Sequence, residues 1–191
     1  VWGEEDIYDF KTNGITKSSG PNAGAVNQSS ANVVFVSKDN SGSTNTTDSW
    51  TIQFLGSTSY SYGKNTGVQF GGNASQVAYA PNAKMTSKSY TNVSQIQLIT
   101  STSNSSVSVS ITIGGTNFDS KTITTGNSQT QSFSKANPLN GAIAITVSSS
   151  TKTLVKIEKI IITTSTGSSE PTISAGPVGA TYGVDDVATP L

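Results

Sequence analysis

The side chains able to do chemistry fall into a few runs. GEEDIYD places Glu4, Glu5, Asp6 and Asp9 near the N-terminus, and DNSGSTNTTD places Asp39 and Asp48 at the ends of a run of hydroxyl and amide side chains around Gly42. Hard cations take about six to eight oxygen ligands, so Asp39 and Asp48 are the candidate ligands of a structural Ca²⁺. The spaced acids and closing Glu of an EF-hand loop are missing from that run, and adjacent carboxylates in an extended GEEDIYD point different ways. TSYSYGKNTGVQFGG, residues 58–72, combines Tyr60, Tyr62, Lys64, Asn65 and Gln69. Flat amphipathic rings beside amides are what a sugar site uses, the ring to stack and the amide to bond hydroxyls. Tyr79 and Tyr90 are further aromatic candidates. The same stretch also reads as a plain hairpin with Gly63 and Gly67 as hinges.

Catalysis has little to draw on. The 191 residues contain neither His nor Cys, which removes thiol nucleophiles, Cys/His zinc sites and the usual Ser-His-Asp triad. No catalytic residue is assigned. Glycoside hydrolysis would need two convergent carboxylates, and the acids outside the termini, Asp39, Asp48, Asp119 and Glu158, are scattered. All 11 basic residues are lysines and the formal net charge is zero, so nucleic acid is a poor partner for want of the arginine fork and of a basic cluster. No apolar run approaches the roughly 18 residues of a membrane span. Five Asn-x-Ser/Thr sequons, at Asn27, Asn45, Asn73, Asn92 and Asn104, are what a Ser/Thr-rich chain generates by chance.

The elements that must position these residues are strands. In SVSVSITIGG, Val107, Val109, Ile111 and Ile113 alternate with hydroxyl residues, and Gly114-Gly115 supplies a two-residue turn returning into TNFDSKTIT. SWTIQFL sets Trp50, Ile52 and Phe54 on one face, which reads as core. TLVKIEKIIITT changes parity along its length, which a bulge near Glu158 and Lys159 reconciles. About ten short strands without sustained helical spacing predict an all-β fold, a two-sheet antiparallel β-sandwich of jelly-roll type, over residues 1–164. The polar runs 16–32 and 38–48 read as loops. Residues 165–191 read as a linker followed by an extended segment. The start at Val1, without methionine, reads as a processed or trimmed N-terminus.

Two resemblances add to this. EPTISAGPVGATYGVDDVATPL resembles the opening of bacterial immunoglobulin-like repeats, which implies that residues 165–191 are a linker and the first segment of a following Ig-like module. The order YGKNTGVQFG, KMTSKSYTNVSQIQLIT, VSVSITIGGTNF, GAIAITV, VKIEKIIITT is similar to the jelly-roll modules of secreted bacterial hydrolases and surface proteins, many of them resembling carbohydrate-binding modules. The resemblance implies the fold and a class of role and transfers no functional residue. The expectation is a non-catalytic module, secreted or on the cell surface, binding glycan or another extracellular surface beside neighbouring domains of its chain. The alternatives are a structural or adhesive spacer and, behind it, a glycoside hydrolase.

Overall fold

Apolar residues alternate with Ser and Thr along most of this chain, so each extended segment has one face to bury and one to leave in water. The computed structural model describes residues 3–26, 32–38, 44–74, 77–104 and 106–165. In chain order the elements are β1 (Gly3–Asp9), the helical turn α1 (Phe10–Asn13), β2 (Ile15–Ser19), β3 (Gly24–Val26), β4 (Asn32–Lys38) and β5 (Thr44–Phe54). Then follow β6 (Thr58–Gly63), β7 (Gly67–Ala74), β8 (Val77–Tyr79), β9 (Asn82–Thr102), β10 (Val107–Ile113), β11 (Thr116–Thr122), β12 (Gly126–Ser149) and β13 (Leu154–Ser165). All pairings among these strands are antiparallel.

Two long strands, β9 and β12, bend and serve both layers. Their first and last parts respectively pair as Met85 with Ile145, in a layer ordered β2-β4-β5-β9-β12-β10-β11. Their other halves pair as Ile96 with Phe133, in a layer where β9 is followed by β13. Beyond β13 lie β1 and β7 end to end, then β6 and β3. The corner lies where the β9–β12 register shifts repeatedly between Ser134 and Ala144, and where Asn92 takes a φ of 57°. The inner positions of β9 change parity across it: Ala83 and Met85 before, Ile96 and Leu98 after, all fully buried.

Aromatic rings stitch the layers face to face, as a sandwich requires. Trp50 meets Tyr8 edge-on at 5.4 Å, Phe54 lies 4.8 Å from Tyr60 and 6.5 Å from Phe70, and Phe35 lies 5.0 Å from Tyr62. The expected core of Trp50, Ile52 and Phe54, and the alternation along β10, are present with inward side chains buried. The Gly114-Gly115 turn has φ of 58° and 81°, and a Cβ on Gly114 would stand 2.4 Å from the Asn140 carbonyl oxygen. In β13 the register shifts between Ile157 and Lys159, so Glu158 is the extra residue of a bulge and the buried set passes from Val155 and Ile157 to Ile160 and Ile162.

Three expectations change. Thirteen strands form among the described residues rather than about ten. The run 16–32, read as a loop, takes in all of β2 but its first residue and the whole of β3, and β5 begins at Thr44 inside the run 38–48. These polar strands lie at or near sheet edges, where an apolar stripe is not needed for pairing, so period two is faint there. Ser165 closes β13, and the remainder of the linker and following segment lies outside the described residues.

Candidate functional site

The β6–β7 hairpin turns its rings inward. Tyr60 is 2% exposed and its hydroxyl donates to the Pro21 carbonyl. Burial, with the neighbouring Tyr62 adding to it, pushes the phenol up to about 12. Tyr62 is half-buried, 5.9 Å from Tyr60 and edge-on to Phe35. A ring closed in on both sides offers no face to a ligand, so stacking by Tyr60, expected from sequence, is corrected to core packing. The cause is parity: Tyr60 pairs with Phe70 and Tyr62 with Val68, both inward. Lys64 and Asn65 are exposed at the turn, where Asn65 has a φ of 73° and its N–H donates to the Lys11 carbonyl at 2.8 Å. Gln69 is half-buried, with Ser61 and Lys156 in register beside it. Tyr79, half-buried, pairs with Gly72 at the end of β7 away from the turn. The seven ligand candidates are therefore not one site.

Tyr90 is the candidate that stands in a groove. At the corner of β9, a cleft of about 430 Å³ runs between β1 and residues 88–91, lined among others by Glu4, Glu5, Asp6, Lys88, Tyr90 and Thr164. The half-buried Tyr90 donates its hydroxyl to Asp6 Oδ2 at 2.5 Å and meets the Tyr8 hydroxyl at 2.5 Å. Burial first, then the hydrogen bond to Asp6, raises the Tyr90 phenol well above its ordinary value, and burial does the same for Tyr8. Both hydroxyls stay protonated and fix the Tyr90 ring. Lys88 Nζ lies 5.3 Å from that ring's centroid, 2.7 Å from Asp48 Oδ1 and 4.0 Å from Asp6 Oδ2. Sequence reasoning missed Tyr8 and Lys88. The shared parity of Asp6 with Tyr8 and of Lys88 with Tyr90 is visible in the chain, but nothing local reveals that β1 and the corner of β9 meet.

Asp48, a Ca²⁺ candidate, is 5% exposed on β5 with its carboxylate against Lys88; Asp39 lies outside the described residues. Among the described residues no group of three or more His, Cys, Asp or Glu side chains is placed to hold a metal.

A third cluster surrounds the β13 bulge. Glu158, 5% exposed, accepts hydrogen bonds from Ser101 Oγ at 2.5 Å and Ser128 Oγ at 2.7 Å, with Lys11 Nζ 3.4 Å away. Burial alone would raise this carboxyl, and it is the largest single influence. The two hydroxyl donors and Lys11 together outweigh it and hold Glu158 below its ordinary value. The arrangement keeps a charge in place, and a second carboxylate, Asp9, lines the same cleft with its own partner, Lys159, at 3.5 Å.

No protein-family model matches the chain, and no curated protein matches it in sequence. Among solved structures, a family two carbohydrate esterase from Cellvibrio japonicus is similar at a TM-score of 0.37 and 11% identity, over 86% of this chain and 35% of that one. The C-terminal CBM6 of LamC, a marine laminarinase from Zobellia galactanivorans, is similar at 0.38 and 9%, over 55% of this chain and 87% of that one. This chain thus spans about a third of the esterase's length. At such identities and TM-scores neither likeness carries a residue or a role across.

Proposed function

We propose that this β-sandwich is a non-catalytic carbohydrate-binding module of a larger secreted or cell-surface protein, and that the groove at Tyr90 holds the sugar. The supporting observation is a half-buried ring, fixed by its hydroxyl on Asp6 and Tyr8, in a groove that also presents the exposed carboxylates of Glu4 and Glu5. A fixed ring loses little rotamer freedom on stacking, and a carboxylate accepts from the hydroxyls of a sugar. Lys64, Asn65 and Gln69 would contribute only hydrogen bonds, at a separate place. Affinities of roughly 4–8 kcal/mol, millimolar to micromolar, suffice for a module tethered to others.

The test is retention on insoluble polysaccharides and glycan arrays, with and without calcium, for wild type, Tyr90→Ala, Tyr90→Phe and Glu5→Gln. Binding should vanish in Tyr90→Ala, and weaken both in Tyr90→Phe, which frees the ring from Asp6 and Tyr8, and in Glu5→Gln, which lies on the surface and leaves folding intact. Absence of any retained glycan, or retention indifferent to both Tyr90→Ala and Glu5→Gln, refutes the reading. Light scattering on the parent protein separates out the spacer alternative, because a binding module stays monomeric.

A further inference from the structure

A second groove, of about 420 Å³, opens at the other end of the β13 layer between the ends of β9 and the starts of β12 and β13. Ser101, Thr102, Thr125, Asn127, Leu154 and Lys156 line it, and no acid does. Its one cation, Lys156, is half-buried, and its ammonium makes no ion pair or hydrogen bond with any described residue. The neighbouring carboxylate of Glu158 is engaged by Ser101, Ser128 and Lys11 instead. Lys156 stands in register with Gln69 on one side and Ser101 on the other, and Gln69 with Ser61. A polar row thus crosses four strands, three gaps of about 4.8 Å each. The Gln69 amide likewise has no side-chain partner among the described residues. Gly72, with a φ of 94°, leaves bare backbone where a Cβ would come within 3.2 Å of Leu154.

We infer that this groove binds a carboxylate-bearing sugar, a uronate, with the carboxylate on Lys156 Nζ, the ring hydroxyls on Gln69, Asn127 and the Ser/Thr hydroxyls, and the apolar ring face over Leu154. A half-buried ammonium without an internal partner is stabilised by an anion more than by a neutral hydroxyl. One lysine, with no arginine in the chain to add a second donor fork, matches a single carboxylate better than a phosphate dianion. The hydroxyl and amide row suits the rest of a sugar. The Tyr90 groove, formally carrying Glu4, Glu5 and Asp6 against Lys88, repels the same ligand, so charge sorts sugars between the two grooves. The inference does not rest on sugar binding at Tyr90.

The experiment is calorimetric titration of the whole chain with oligosaccharides of galacturonate, glucuronate and mannuronate, with their methyl esters, and with inorganic phosphate, at low and moderate salt. At least one uronate should bind, lose affinity with salt and lose roughly tenfold or more in Lys156→Gln, the effect of one charge-assisted hydrogen bond. Its methyl ester should bind no better than that variant does. Gln69→Ala should weaken binding without changing its salt dependence, and Tyr90→Ala should leave it unchanged. If no uronate binds, if Lys156→Gln binds as wild type, or if phosphate competes as well as the sugar, the inference is overturned. Neutral-glycan binding lost in Tyr90→Ala but kept in Lys156→Gln separates failure here from failure of the first reading.

Discussion

Glu158 offers the sharpest test of how the bulge is held. Its carboxylate receives two hydroxyl hydrogen bonds, from Ser101 and Ser128, and one ion pair from Lys11, whose side chain is 42% exposed. Hydrogen bonds to a charged group contribute about 1.5–3 kcal/mol against about 1 for neutral ones, and a half-exposed ion pair adds at most about 1. Glu158→Gln keeps the size and one acceptor, and the serine hydroxyls can rotate to meet the amide. The expected loss at pH 7 is therefore roughly 1–3 kcal/mol, read by urea denaturation, with about 2–4 °C of Tm for each kcal/mol. The pH dependence carries the refutation. The folded-state pKa lies below the ordinary 4.5, so between the two values the unfolded chain binds more protons. The charge's contribution is fully present above about 4.5 and is lost as pH falls through the folded value. The gap between wild type and Glu158→Gln should therefore narrow as pH falls below about 4.5. A gap of equal size at pH 3 and pH 7, or none at pH 7, would show that the charge does not hold the bulge.

Further outcomes follow from the same geometry. Phe54→Ala, which empties the space between Tyr60 and Phe70, should cost about 3–5 kcal/mol in denaturant unfolding. Gly114→Ala should destabilise far more than Gly115→Ala, because both suffer a left-handed φ but only Gly114 brings a Cβ against the Asn140 carbonyl; thermal unfolding of the two variants decides it. Lys88→Gln removes the cation beside the buried Asp48 and should lose roughly 1–3 kcal/mol in the same assay, less than a fully buried pair because Lys88 is partly in water, whereas Lys159→Gln, paired with the more exposed Asp9, should lose under about 1. Tyr60, pushed up to about 12, stays neutral in the fold while an unfolded tyrosine ionises near 10, so its contribution is present below pH 10 and lost as pH rises towards 12. Stability measured across that range should fall less steeply in Tyr60→Phe.

Period two makes much of this fold legible in the chain itself. Val107 to Ile113, Trp50 to Phe54 and the Gly114-Gly115 turn each carry their answer locally, and the parity break in TLVKIEKIIITT marks the bulge at Glu158. What is not legible is non-local. Tyr60 and Tyr62 look like a platform until the partner residues Phe70 and Val68 are known to face the core. Residues 84–92 carry no clear strand signal because the apolar stripe of β9 changes sides there, and two half-strands of opposite parity do not resemble one strand. The acids and lysines are paired across elements far apart in sequence, as Asp48 is with Lys88 and Lys11 with Glu158.

Parity also bears on where a sandwich of this composition can keep a site. Inner positions are committed to packing, so a ring on a regular strand is drawn into the core, as Tyr60 is, and only a break in alternation frees one. Tyr90 stands at such a break, next to the corner where β9 changes layers, and Glu158 at another, the bulge of β13. Lys156 is the contrasting case: it occupies a regular outward position, in a groove that no acid lines and that therefore supplies no counter-charge. Supplying one internally tests whether that vacancy matters. Gln69→Glu, one strand away in register, should form an ion pair worth at most about 1 kcal/mol to stability, yet it should abolish anion binding by giving Lys156 a partner. Anion binding that survives Gln69→Glu would mean that the ligand's charge rests somewhere other than on Lys156.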